Sequence, residues 1–142
     1  MAITSGLCAS FKEELFEAVH NFSTSGGDTY KLALYTSAAN LGPATTTYTA
    51  TDEVVGSGYN GGGVTLTNAG TYSNASEAWV DFQDVTFANS TITARGALIY
   101  NSTQSNKAVA VIDFGTDQTT TNSNFTIQFP AAGAGTAIVR IT

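Results

Sequence analysis

A single histidine and a single cysteine are the side chains in this 142-residue chain best suited to acid–base or nucleophilic chemistry. His20 lies near the end of a helical pattern, where an imidazole interacts favourably with the partial negative charge of a helix C-terminus. A hydrolytic site also needs a nucleophile and an orienting acid beside the base, and the sequence assigns no such partners to His20. We therefore interpret His20 as a helix-capping residue, and Cys8, beside Leu7 and Phe11, as a small core residue.

Acidic residues give a second candidate site. Asp81 and Asp84 would bind one calcium ion only if a bulge intervened, because residues three apart in a strand point to opposite faces. Residues 113–115 read Asp-Phe-Gly, as in the magnesium motif of kinases, but the other kinase motifs do not occur in the sequence. We interpret these acids as surface residues. We predict no catalytic, cofactor-binding or metal-binding residue in the chain.

A glycine cluster between Gly58 and Gly63 resembles a phosphate-binding loop in composition. Such a loop lies between a strand and a helix N-terminus, whereas the segment that follows here, from Val64 to Thr67, alternates like a strand. Glycines in a β-rich protein permit positive φ angles or the close approach of another backbone. The cluster therefore predicts a tight turn, and a loop that orders against a partner is the functional alternative.

Three tyrosines are candidate partner-contact residues: Tyr48, Tyr59 and Tyr72. Each lies within or beside a stretch rich in Thr, Gly and Asn, a composition typical of surfaces that recognise a partner by shape and adaptable hydrogen bonds. Exposed aromatic residues on a β-sandwich are also a property of carbohydrate-binding modules. The structural alternative is that these tyrosines pack half-buried at the edges of strands.

Charged residues make up only 11% of the chain, and the formal net charge is −6. The five lysine and arginine residues are scattered, so they form no basic stripe for nucleic acid or an anionic membrane. No apolar segment approaches the ~20 residues of a membrane-spanning helix. One cysteine cannot form an internal disulfide, and the N-terminal residues lack the pattern of a secretory signal. We therefore expect synthesis in a cytoplasm without secretion, and no binding to nucleic acid or membrane.

One segment has the period of an amphipathic helix. Its apolar residues recur at spacings of three and four: Phe11, Leu15, Val19 and Phe22. Ser10 followed by Glu13 fits a capping box, although the helix could also start near Ser5. We predict that this helix buries its four apolar side chains against a sheet. A single domain is expected, with a helix and loop over residues 1–27 and a β-rich body over residues 28–142.

The rest of the chain has the pattern of antiparallel strands. From Ile92 to Phe114, two apolar runs rich in β-branched residues flank a polar tract, which predicts a hairpin of two long strands. Tyr30–Tyr35 is apolar at nearly every position, as in a central strand. The alternation breaks near Asp84, which suggests a bulge, and further strands are expected at Phe125–Phe129 and Ala137–Ile141. The predicted fold is mainly β: an antiparallel β-sandwich or flattened barrel with one N-terminal amphipathic α-helix.

Four blocks of the sequence resemble, in the same order, a family of small virion-associated proteins of tailed bacteriophages, especially marine ones. The blocks are Ser5–Phe22, Asp28–Ala39, Ile92–Asn101 and Lys107–Gly115, and the similarity extends over nearly the whole chain. The resemblance implies a structural protein of the virion. Among small, β-rich, charge-poor phage proteins, the commonest role is to decorate or cement the capsid where major capsid subunits meet.

We accordingly expect a capsid decoration or cement protein, located in the virion, that binds the major capsid protein or other virion proteins. A homo-trimer would fit the symmetry axes of a capsid. Two other functions stay open: a tail, collar or fibre component, and a carbohydrate-binding module for host recognition. An enzyme is the weakest alternative, because the sequence offers no base besides His20, and we predict no enzymatic activity.

Overall fold

Two antiparallel sheets form the body of the protein, in a computed structural model that describes residues 2–131, 133 and 135–142. One sheet has five strands in the order β1-β7-β6-β2-β3, and the other has three in the order β4-β5-β8. The elements are β1 Gly6–Leu7, α1 Ala9–Phe16, β2 Tyr30–Tyr35, β3 Val64–Thr65, β4 Asn68–Ser73, β5 Ala78–Phe82, β6 Val85–Asn101, β7 Lys107–Ile127 and β8 Val139–Ile141. The predicted mainly β, sandwich-like fold with one short N-terminal helix is confirmed.

The long hairpin formed by β6 and β7 dominates the larger sheet. The predicted strands over 92–114 are confirmed, but both continue further from the turn than the sequence pattern indicated. The separate strand expected at Phe125–Phe129 is instead the end of β7, which pairs Phe125 with Phe87 of β6. β7 therefore remains one strand of 21 residues across several bulges.

The half of this hairpin nearest the turn, called here the covered half, pairs Gly96–Asn101 of β6 with Lys107–Asp113 of β7. β2 pairs with β6 along this whole half, and β1 pairs with the β7 residues Ala110 and Val111. Side chains on both faces of these strands are buried, including Leu98 and Val109. A continuous apolar sequence is what a strand covered on both faces requires.

The other half of the hairpin, called here the open half, pairs Val85–Ala94 of β6 with Gln118–Ile127 of β7. Its side chains alternate between buried residues, such as Phe87 and Ile92, and exposed threonines and asparagines. This alternation is the pattern of a strand pair with one face on the core and one face in water.

The break in alternation near Asp84 is a change of sheet, so the bulge expected there is wrong. β5 ends at Phe82 in the three-stranded sheet, and β6 begins at Val85 in the five-stranded sheet. Asp84 lies in the connection, where its Oδ1 accepts a hydrogen bond from the backbone N–H of Phe129 at 2.8 Å. The chain thus passes between the two layers at this point, and Phe82 and Val85 are both buried in the core.

The helix is shorter than its apolar period indicated. α1 ends at Phe16, and Ala18 adopts a left-handed φ of 58° that turns the chain. Phe11 and Phe22 are still buried, with their rings edge to face at 6.0 Å, but Phe22 reaches the core from beyond the helix. Leu15 and Val19 are only half-buried, so the predicted burial of all four residues is correct only for two.

The predicted capping box is also wrong. The N-cap residue of α1 is Cys8, and no side chain makes a capping hydrogen bond there. Ser10 lies inside the helix, and its buried hydroxyl has no hydrogen-bond partner among the described residues. None of the described residues forms a helix of the length and hydropathy that a bilayer crossing requires.

Candidate functional site

A buried carboxylate, Glu53, lies at the centre of the first polar cluster and is only 9% exposed. Its Oε2 accepts a hydrogen bond from the Tyr48 hydroxyl, and its Oε1 accepts one from the Tyr59 hydroxyl, both at 2.6 Å. The backbone N–H of Gly62 donates to the same Oε1 at 2.7 Å. Three donors from the loop between β2 and β3 thus converge on the Glu53 carboxylate. The sequence pattern did not identify this residue as a candidate.

This cluster fastens the loop between β2 and β3 to the larger sheet. The Tyr59 hydroxyl also accepts a hydrogen bond from the backbone N–H of Leu34 in β2, at 2.9 Å. Burial, together with the hydrogen bond to the Glu53 carboxylate, raises the pKa of both Tyr48 and Tyr59 well above the ordinary value for tyrosine. Both hydroxyls therefore stay protonated as donors at neutral pH.

The structure brings together two of the three tyrosines predicted to contact a partner, and it separates the third. Tyr59 is buried, and Tyr48 is half-buried with its ring stacked on Tyr100 at 4.8 Å. Tyr72 lies on β4 in the other sheet, where it is 48% exposed and stacks on Trp79 at 6.1 Å. Only Tyr72 of the three offers much of its ring to a ligand in this conformation.

The glycine cluster packs tightly against the larger sheet. A Cβ atom at Gly63 would lie 1.9 Å from the carbonyl oxygen of Leu32, and one at Gly58 would lie 2.7 Å from Cα of Ser90. Gly58 also has a left-handed φ of 81°. The Tyr100 hydroxyl donates to the carbonyl of Gly62. The predicted close approach of backbones is confirmed, and these contacts already order the loop within the chain.

The second polar cluster surrounds His20, whose side chain is completely buried. Its Nε2 lies 3.0 Å from Glu14 Oε1, and its Nδ1 lies 3.0 Å from Asn101 Nδ2. Since an amide nitrogen only donates, Nδ1 is the acceptor and the ring proton lies on Nε2, pointing at Glu14. His20 therefore does not cap the helix by its C-terminus, as predicted, but bonds to a side chain within it.

Asn101 connects this histidine to the turn of the hairpin. Its Nδ2 also donates to Asp28 Oδ2 at 2.8 Å, and its Oδ1 accepts from the backbone N–H groups of Thr103 and Gln104. All four hydrogen-bonding positions of this fully buried amide are thereby used. The cluster joins α1, the segment after it and the hairpin turn.

Glu14 is the charged end of the same cluster. Its Oε2 lies 3.0 Å from Nζ of Lys107, the first residue of β7. Burial raises the pKa of the Glu14 carboxyl, but hydrogen bonds from His20 and Lys107 outweigh burial and hold that pKa below its usual value. Both ring nitrogens of His20 are occupied by this network, so the geometry assigns His20 to the attachment of the helix.

The remaining sequence candidates lie apart from these clusters. Cys8 is fully buried, as predicted for a core residue, and burial raises the pKa of its thiol to about 11. The thiol is therefore protonated and a poor nucleophile at neutral pH. Among the described residues, no group of three or more His, Cys, Asp or Glu side chains is arranged to hold a metal ion. Asp81 and Asp84 belong to no such group.

A groove of about 590 Å³ lies along β7 in the open half, next to the segment that follows this strand. Its lining residues are uncharged: Ile112, Phe114, Gln118, Thr119, Thr120, Asn124, Phe125, Thr126, Ile127, Gln128, Phe129, Pro130 and Ile138. Aromatic and aliphatic side chains form much of this lining, and threonines and amides supply donors and acceptors. A surface of this kind suits a peptide or protein partner better than a charged small molecule.

Among the described residues, two polar clusters hold segments of the fold together, and an uncharged groove lies apart from them along β7. The groove was missed by sequence reasoning, because its residues become neighbours only through the register of β7 and the return of the C-terminal segment. Neither a protein-family model, nor a curated protein sequence, nor a solved structure matches this chain.

Proposed function

We propose that this protein is a structural component of a bacteriophage particle that decorates the capsid and stabilises the lattice of the major capsid protein. The proposal rests on the sequence resemblance to virion-associated proteins and on one structural observation. That observation is the open half of the hairpin, where a long strand edge without a strand partner among the described residues lies beside an uncharged groove. The buried polar groups support it, since the networks of Glu53 and His20 are occupied in holding the fold.

The surface chemistry is consistent with many weak contacts repeated over a lattice. Threonine and asparagine side chains lose less conformational entropy on binding than long charged side chains do. A contact of modest affinity becomes stable when neighbouring copies or neighbouring capsid subunits bind at the same time. The proposed role is therefore one of binding and reinforcement without catalysis.

The copy number of the protein in purified particles tests this role. A capsid decorator should be present at a level comparable with the major capsid protein in a stained gel, whereas a tail, collar or fibre component should be far less abundant. Particles that lack the protein should also lose their genome at a lower temperature than complete particles. A faint band, together with unchanged heat resistance, would contradict capsid decoration and favour the tail.

A carbohydrate-binding function is the second candidate, and one observation favours it. Tyr72 and Trp79 lie side by side on the three-stranded sheet, with an angle of 24° between their ring planes and Tyr72 about half exposed. Stacked and exposed aromatic rings are a common platform for sugars. Loss of glycan-array binding in Tyr72→Ala, but not in Phe16→Ala, would support this function. Phe16 is a suitable control because it is another exposed aromatic residue, at 94%.

A further inference from the structure

The outer edge of β7 has no strand partner over most of its length among the described residues. β1 pairs with Ala110 and Val111, and Ser5 Oγ accepts a hydrogen bond from the backbone N–H of Asp113. Beyond that point no described strand pairs with the outer edge, while Gln118–Ile127 pairs with β6 on the other side. Proteins usually protect such an edge with lysine, proline, a β-bulge or a covering segment, because it can pair with another chain. This edge contains neither lysine nor proline between Ile112 and Ile127.

The part of this edge in the open half, Gln118–Ile127, is called here the open edge and is electrically neutral, although the protein as a whole has a formal charge of −6. No charged residue lies between Gln118 and Gln128. The nearest acids, Asp113 and Asp117, lie beyond one end and are held by Arg95 at 3.3 and 3.9 Å. Two copies of this edge can therefore lie against each other without opposing like charges, whereas a basic partner would find no complementary charge along it.

The open half already shows how strands of this composition pair. Hydroxyl groups meet across β6 and β7 at three positions: Thr86 with Thr126 at 3.1 Å, Ser90 with Thr120 at 2.8 Å and Thr93 with Thr119 at 3.0 Å. Cross-strand hydroxyl pairs of this kind stabilise an antiparallel sheet. A second copy of β7 would bring the same residue types to the other side of the strand.

We propose that the open edge of β7 binds the same edge of a second copy of this chain, in antiparallel pairing about a two-fold axis. An identical strand edge meets itself in this way in an isologous dimer. A bulge leaves Thr121 and Asn122 unpaired with β6, and Asn122 has a left-handed φ of 46°. With the axis between Thr121 and Asn122, Gln118–Thr120 of each copy faces Ser123–Phe125 of the other. This inference does not depend on a role in the virion.

Cross-linking tests the position of the axis. Thr121 is exposed, and the natural Cys8 is buried, so Thr121→Cys supplies one accessible thiol per chain. Mild oxidation should convert this variant mainly to a disulfide-linked dimer. Thr51→Cys, at an exposed position in the loop between β2 and β3, is the matched control and should remain largely monomeric. Equal and low cross-linking of the two variants would overturn the proposed axis.

The oligomeric state in solution tests the dimer itself. Sedimentation of the unmodified chain should give a monomer–dimer equilibrium, and Thr121→Lys should weaken it about tenfold or more, while Thr51→Lys should leave it unchanged. A monomer at every concentration would overturn the proposal, as would a trimer. Protection of the β7 edge from hydrogen exchange only on purified capsids would also overturn it, in favour of a different partner. Circular dichroism confirms that each variant is folded.

Discussion

The two halves of the β6–β7 hairpin have the same backbone architecture and opposite surroundings. In the covered half, β1 and β2 flank the pair, and residues such as Leu98 and Val109 are completely buried. In the open half, the β7 edge faces outward and cross-strand contacts between hydroxyl groups replace much of the apolar packing. One pair of strands therefore serves as core at one end and as surface at the other.

This difference shows that the segments packed around a strand, more than the strand itself, decide how much it contributes to the buried core. The covered half is enclosed by the loop that Glu53 fastens and by the helix that His20 and Asn101 attach. From that loop the open half receives the bridge between Ser57 and Thr91, the close approach of Gly58 to Ser90 and the contact of Tyr59 with Phe87, and its β7 edge has no strand partner among the described residues. We therefore expect substitutions to have large effects on stability in the covered half and small effects at the exposed positions of the open half.

The largest effect is expected for Leu98→Ala in the covered half. Leu98 is fully buried, and a large-to-small change at such a position destabilises a protein by about 2–5 kcal/mol, because it removes apolar burial and leaves a cavity. Urea unfolding of the variant and the parent measures the difference. A loss below about 1 kcal/mol would mean that the covered half is packed more loosely than its burial indicates.

Glu53→Gln should have the next largest effect. The amide keeps the size of the side chain but replaces one of its two acceptor oxygens with an NH2 donor, in a site where Tyr48, Tyr59 and Gly62 all donate. A buried hydrogen-bonding group left without a suitable partner costs about 1–3 kcal/mol. Glu13→Gln, on the exposed side of α1, is the control and should unfold like the parent. Equal stability of both variants would remove Glu53 as the residue that fastens the loop.

Glu14→Gln should alter the dependence of stability on pH. The pKa of Glu14 is lower in the folded protein than in the unfolded chain. The carboxylate therefore contributes stability above its unfolded pKa, about 4.3, and this contribution is lost as pH falls through the folded value. The parent should lose more stability than Glu14→Gln when the pH is lowered through this range in chemical unfolding experiments. Parallel profiles would contradict the role of Glu14 in attaching the helix.

The smallest effects are expected in the open half, where two hydroxyl contacts can be compared. Ser90 is buried, and its Oγ lies 2.8 Å from Thr120 Oγ1 and 2.9 Å from the carbonyl oxygen of Ser123, so Ser90→Ala should cost about 1 kcal/mol. Thr93 is exposed, and Thr93→Val should change stability by no more than about 0.5 kcal/mol. Thermal unfolding measures both. A larger loss for Thr93→Val would mean that the exposed ladder is structurally important.

The elements that the sequence predicted best are those with a continuous apolar pattern. Tyr30–Tyr35 and the hairpin over 92–114 are confirmed because burial on both faces allows few other residues. The end of the helix was missed because Val19 and Phe22 continue its apolar period while the backbone turns at Ala18. The change of sheet at Asp84 was missed because a broken alternation looks the same for a bulge and for a strand end.

The polar clusters could not be predicted, because their members come from distant parts of the chain. His20 and Asn101 are separated by 81 residues. Glu53 accepts hydrogen bonds from Tyr48, which precedes it, and from Tyr59 and Gly62, which follow it, in a loop whose sequence has no periodic pattern. Sequence spacing carries information about contacts within one element, whereas these contacts depend on how elements pack. The role in a virion comes from the sequence resemblance and stays a proposal.

The bond between His20 and Asn101 also has a consequence for the order in which the protein folds. The helix is synthesised before the hairpin, yet its attachment requires an amide that becomes fixed only when the hairpin turn is formed. Contacts this far apart in sequence form late, because the intervening chain must first be ordered. We therefore expect the attachment of the N-terminal segment to be completed only after the hairpin turn has formed, so that it shields Cys8 fully only from that step onward.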